Sequence, residues 1–131
     1  MMKATIYASL AAPDKAAMDK QIADLKAAVA EREEWELYGV YFDFASGTAE
    51  DMPFEMEHLL ADCKAHNIHV AVIRDISRLT RNVQQLPERI DAFRSAGVEL
   101  YLLHEDMKPL SQIDDAAALY DLIGGKEEAA E

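Results

Sequence analysis

The segment that most restricts the fold is Ile68-His-Val-Ala-Val-Ile73, a strand-like run that is apolar at nearly every position. A strand covered on both faces reads this way, and such strands belong to parallel sheets with helices packed above and below. The run is therefore expected in the middle of a sheet. Its surroundings supply the remaining pattern. Residues 3–10 alternate as a strand, and Asp14 precedes a helical stretch whose Met18, Ile22, Leu25 and Val29 form one apolar stripe. Trp35 to Phe44 is aromatic and β-branched enough for a second strand, followed by a loop over 45–51 and a helix opening near Pro53. After the central run, Leu86, Ile90 and Phe93 mark another helix, with Pro87 in its first turn, Val83 extending the stripe and Gly97 closing it. Val98 to Leu103 reads as a fourth strand.

The order β-α-β-α-β-α-β predicts an α/β fold: a three-layer, open, mostly parallel sheet of at least four strands with flanking helices and flavodoxin-like topology. In such sheets ligands bind outside the carboxyl ends of the strands. The 131 residues fit one globular unit, half of them hydrophobic, and the single cysteine, Cys63, excludes an internal disulfide framework. A reducing, cytoplasmic setting is the expectation. Thr5, Tyr7 and Ser9 interrupt the apolar start of the chain, which argues for a strand rather than a signal peptide, and no run has the length of a membrane span.

The boundary is expected at residue 104, with residues 105–131 forming an acidic carboxyl-terminal helix and tail. From His104 onward the chain holds eight acidic residues against Lys108 and Lys126. Ile113, Ala117, Tyr120 and Ile123 recur there at helical spacing, and Gly124-Gly125 should end the helix. Docking on its own domain is the simpler fate of its apolar side; contact with a partner is the other.

Against a formal charge of -12, five of the six arginines (Arg74, Arg78, Arg81, Arg89 and Arg94) cluster after the third strand. That placement suggests an anion site, although nonspecific DNA binding by so acidic a chain should be poor. Three loops should converge there: Ser9 to Ala12, Asp43 to Met52 and Arg74 to Arg81. The pattern Tyr7-Ala8-Ser9-Leu10-Ala11, Gln21, Asp43-Phe-Ala-Ser46-Gly47 and Ser77-Arg78-Leu79-Thr80-Arg81-Asn82 resembles the amino-terminal catalytic domain of the resolvase/invertase serine recombinases, from about Lys3 to Leu103.

The resemblance implies DNA cleavage and strand exchange through a phosphoserine link, with arginines stabilising charge on the phosphoryl oxygens. It also implies specific departures. The family's nucleophilic serine falls on Ala11, which has no hydroxyl. The arginine of the first motif falls on Ser9, the arginine after Ser-Gly on Met52, and the aspartate of the third motif on Ser77. Arg78, Arg81, Asp43, Ser46 and Gln21 remain as the residual catalytic positions. Ser9 is the fallback nucleophile, but in a regular strand it lies about 6.7 Å from position 11, a large misplacement for catalysis.

The expected function is a degenerate recombinase domain that has lost catalysis and acts by protein association, with an active serine recombinase or with itself as partner. DNA contact would be weak or indirect, since no helix-turn-helix, basic or zinc element follows the sheet. An active recombinase fragment using Ser9, or a small phosphate- or nucleotide-binding α/β module using Arg78 and Arg81, are the alternatives. Charge balance by Arg78 and Arg81, and a simple turn over Asp43 to Gly47, explain the same residues structurally. A phosphoacceptor receiver domain lacks its acidic pair after the first strand. His58, His66, His69 and His104 show no metal-ligand spacing, so neither metal nor cofactor is expected.

Overall fold

The computed structural model describes residues 1–44, 52–80, 82 and 84–112. Its order is β1 (Met2–Leu10), α1 (Lys15–Ala30), β2 (Trp35–Phe44), α2 (Phe54–His66), β3 (Val70–Ile73), α3 (Leu86–Ser95), β4 (Glu99–Leu102) and β5 (Lys108–Pro109). Short 3₁₀ turns occupy Ile76–Arg78, Leu103–Glu105 and Leu110–Gln112. The sheet runs β2-β1-β3-β4-β5, parallel except for the last pairing.

The expected layers are present. Ala4, Ile6 and Ala8 of β1 and Val70 and Val72 of β3 face Met18, Leu25 and Val29 of α1. On the other face, Tyr7, Ala71 and Ile73 meet Met56, Leu59 and Cys63 of α2 and Ile90 and Phe93 of α3. All four residues of β3 are buried, because helices cover both sides of it. Burying one such aliphatic side chain contributes about 1.5–3 kcal/mol.

Local chemistry fixes the ends of the helices. The Asp14 carboxylate accepts from the Ala17 amide at 3.0 Å and starts α1. Asn67 takes a left-handed conformation beyond α2, and Gly97, with φ of 78°, does so beyond α3. Pro87 occupies the first turn of α3, where its missing N–H leaves no hydrogen bond unmade. Val83 lies outside the described residues, as does the whole helix expected over 113–123.

Two features were not anticipated. The first is β5, which continues the sheet antiparallel to β4 and delivers Leu110 into the core. The second is a bulge in β2. Ala4 pairs with Leu37 but Thr5 pairs with Gly39, leaving Tyr38 without a partner on β1. Trp35 and Tyr41 would share a face in a regular strand. The extra residue instead sends Trp35 to the α1 side and Tyr41 to the α2 side. Gly39 leaves room for this arrangement, since a Cβ there would come within 3.0 Å of the Tyr41 ring.

No helix among the described residues is long and apolar enough to cross a membrane.

Candidate functional site

The carboxyl ends of β1, β2 and β3 converge, and the bulge decides what they present. Downstream of Tyr38, Tyr41 lies beside Tyr7 and Asp43 lies beside Ser9. Asp43 thus belongs to the end of β2 rather than to the following loop. Among the described residues, its carboxylate accepts three hydrogen bonds. The Tyr7 hydroxyl donates to Oδ2 at 2.7 Å, and the first-turn amides of Glu55 and Met56 donate to Oδ1 and Oδ2 at 3.1 and 3.2 Å. Pro53 opens α2 and makes no side-chain cap bond of its own, so Asp43 supplies the cap from the neighbouring strand.

Tyr7 is fully buried, and its hydroxyl is raised far above the ordinary phenol range. Burial is the main cause, followed by the Asp43 hydrogen bond and charge; the Ser9 side chain and the Arg89 charge oppose the shift. A neutral phenol therefore stands at the centre of the site.

Ser9 is 9 % exposed and held through its backbone. Its amide donates to Gln21 Oε1 at 3.0 Å, while Gln21 Nε2 donates to its carbonyl at 3.3 Å. The same carbonyl accepts from Arg78 Nη1 at 2.9 Å. Gln21 therefore continues the hydrogen bonding of β1 from a buried position on α1. Ala11 and Ala12, just past this clamp, are exposed.

Arg78 points into the structure more than out of it. Besides Ser9, its guanidinium meets Asp75, with Nε 3.5 Å from Oδ2 in an ion pair that lacks hydrogen-bond geometry. Asp75 is itself occupied, since the Ser77 amide and hydroxyl both donate to its Oδ1. Ser77 thus binds the aspartate two positions before it. Arg74 donates from Nε to His104 Nε2 at 3.1 Å, linking the end of β3 to the turn after β4.

Gln21, Asp43 and Arg78 are thus brought together with Ser9, while Ser46 and Arg81 lie outside the described residues. Arg89, which the sequence offered only as one of five clustered arginines, is 4 % exposed on α3. It donates from Nη1 to the Leu79 carbonyl at 3.3 Å and from Nη2 to Gln85 Oε1 at 3.5 Å. Its charge also reaches Tyr7. The available signal was its place between Leu86, Ile90 and Phe93 on the apolar stripe. Among the described residues, no group of three or more histidine, cysteine, aspartate or glutamate side chains could hold a metal.

This constellation lies on a chain whose residues 7–128 match the family model for the resolvase amino-terminal domain. The chain belongs to that family. Solved resolvase-type structures share its fold. The N-terminal catalytic domain of TP901-1 integrase is 20 % identical, with a TM-score of 0.71 over 98 % of this chain and 96 % of that one. A resolvase family site-specific recombinase from Streptococcus pneumoniae is 18 % identical, with a TM-score of 0.69 over 99 % of this chain and 89 % of that one. The C-terminal catalytic domain of ISC1926 TnpA, an IS607-like serine recombinase, is 24 % identical, with a TM-score of 0.68 over 77 % of this chain and 67 % of that one. Among curated proteins none matches the chain.

The described residues that carry the sequence resemblance lie at the carboxyl edge of the sheet. At that edge this domain offers the exposed methyl of Ala11, a backbone-clamped Ser9 and an arginine engaged by protein groups. Chemically, the arrangement can hold a carboxylate, a phenol and two guanidinium groups at close quarters. A hydroxyl at position 11 is missing from it.

Proposed function

We propose that this resolvase-family domain does not cleave DNA and acts by associating with protein. The observation that carries the reading is the joint state of Ala11 and Arg78. Position 11, where the family resemblance puts the nucleophile, is an exposed alanine, and Arg78 donates to the Ser9 carbonyl. A phosphoserine link needs a hydroxyl at the first position. Stabilising its transition state needs guanidinium donors aimed at the phosphoryl oxygens rather than at the protein. An active serine recombinase, or a second copy of this chain, is the proposed partner.

The direct test is a DNA cleavage assay that scores covalent protein–DNA adducts on denaturing gels. No adduct is expected from the parent protein. An adduct that disappears in Ser9→Ala would overturn the reading and make Ser9 a displaced nucleophile. Co-purification of the intact protein with an active serine recombinase tests the association separately.

A further inference from the structure

The outer edge of β2 has two properties that the cleavage site does not use. No described strand pairs with it, since β2 ends the sheet order. It also carries large apolar side chains in the open: Leu37, Tyr38, Phe42 and Phe44 are each roughly two-fifths exposed. Phe42 and Phe44 lie on the α1 side and meet edge to face, with ring centroids 6.2 Å apart. At the carboxyl end of the strand, where Asp43 reaches α2, Phe54 is 78 % exposed beside an open cleft that it lines with Glu55, Glu57 and His58. An unpaired strand edge with open aromatic rings is where an extended chain can add.

Charge identifies the occupant. Between Arg32 and Lys64 the sequence contains nine acidic residues and neither lysine nor arginine. Glu33, Glu34 and Glu36 are exposed around the start of β2, and Glu57 is exposed on α2 past its end. Two cations adjoin the start of the strand: Arg32 covers the Trp35 and Tyr101 rings, and Lys3, opposite Glu36, donates to the His66 carbonyl and sits over Tyr38, one charge against three glutamates. The edge is therefore aromatic along its length and negative at both ends. A second copy aligned antiparallel would bring the acids before β2 onto the acids after it, in a protein that already carries -12. DNA is repelled for the same reason.

We infer that the outer edge of β2 is a docking site for an extended peptide segment that alternates apolar and basic residues and adds to the sheet as a further strand. The inference rests on the reading that this domain works through protein contacts, and it names the chemistry of the contact. Backbone hydrogen bonds to the outer edge of β2 supply pairing, apolar side chains of the guest cover Phe42 and Phe44, and lysine or arginine at its ends meets the glutamates.

The test uses the full chain and a fluorescent ten-residue peptide alternating valine and lysine, with a valine–glutamate peptide as control. Anisotropy should show saturable binding of the lysine peptide, weakened by salt, and none of the control. The Phe42→Lys Phe44→Lys variant, altered at two exposed positions, should bind at least tenfold more weakly with an unchanged thermal midpoint. Amide shifts in the parent protein, which need no variant, should concentrate in residues 39–44. Equal binding by parent and variant, shifts confined to another surface, absence of binding, or a β2-mediated dimer in sedimentation would each overturn the inference. A covalent DNA adduct from the parent would remove the non-cleaving reading without touching the peptide result. Failure of the peptide on a protein that forms no adduct would remove the edge inference alone.

Discussion

Tyr7 donates to Asp43 at 2.7 Å across the first two strands of the sheet, and the acceptor is the same carboxylate that caps α2. One side chain therefore ties β1, β2 and α2 into a single unit. Asp43 thus has a structural task independent of any phosphate.

Replacing that carboxylate should test the tie. Asp43→Ala strands the buried Tyr7 hydroxyl and uncaps α2, and a loss of about 2 kcal/mol or more is expected from the two effects. Asp43→Asn keeps one oxygen and should lose less. Urea midpoints at constant slope measure the difference, and an Asp43→Ala midpoint equal to the parent's would contradict it.

Alkaline pH should weaken the fold in two stages. Burial, with a smaller push from the Asp62 charge, raises the Cys63 thiol to about 12, and the Tyr7 hydroxyl is raised as well. Both groups keep their protons in the native state where the unfolded chain has released them. Each contribution is thus complete below the unfolded pKa and is lost as pH rises toward the native one. Stability should begin to fall near pH 9 through Cys63 and steepen above about pH 10 through Tyr7, by about 1.4 kcal/mol per pH unit for each proton. Urea titrations of the parent, Tyr7→Phe and Cys63→Ala between pH 7 and 11 measure it. A flat parent profile would count against these shifts.

Gln21 should matter more than an exposed polar helix residue does. Gln21→Leu leaves the buried Ser9 amide without its acceptor, at a cost of about 1–3 kcal/mol. Hydrogen exchange at the Ser9 amide should accelerate by at least tenfold in native buffer. Gln21→Glu retains the acceptor and should preserve much of the protection, whereas equal exchange in all three proteins would refute the clamp.

The β2 bulge makes a sharper prediction about chain length. Deleting Tyr38 leaves Trp35 and Tyr41 five positions apart, so regular alternation alone sends them to opposite faces and keeps Asp43 beside Tyr7. The deletion protein should therefore retain cooperative thermal unfolding. Tyr38→Ala keeps the register as it is and should unfold cooperatively as well. A deletion protein without a cooperative transition would show that the extra residue is required by the fold.

Much of the layer order was legible because periodicity carries it. The bounds expected for β2, Trp35 to Phe44, coincide with the strand, and the unbroken apolar character of β3 identified its central place. The bulge left no such trace, since adding one residue changes which face a side chain meets without changing composition. Two residues, Lys108 and Pro109, are too few to alternate, so β5 could not be read. At the site, the motifs brought Gln21, Asp43 and Arg78 to notice, but their engagement with the protein depends on contacts between elements distant in sequence. The burial of Arg89 stayed hidden for another reason: a charged residue in an arginine cluster reads as solvent-facing until its hydrogen-bond partners are known.

The bulge at Tyr38 also bears on how the chain survives at high concentration. A ten-residue edge rich in exposed aromatic side chains is a ready template for stacking like copies into cross-β ribbons. Growth of that kind needs an unbroken register, and the unpaired residue interrupts it after Leu37. The segment from Gly39 to Phe44 remains regular enough to accept a guest, and Gly39 and Asp43 within it supply the glycine and the charge that work against stacking of like copies.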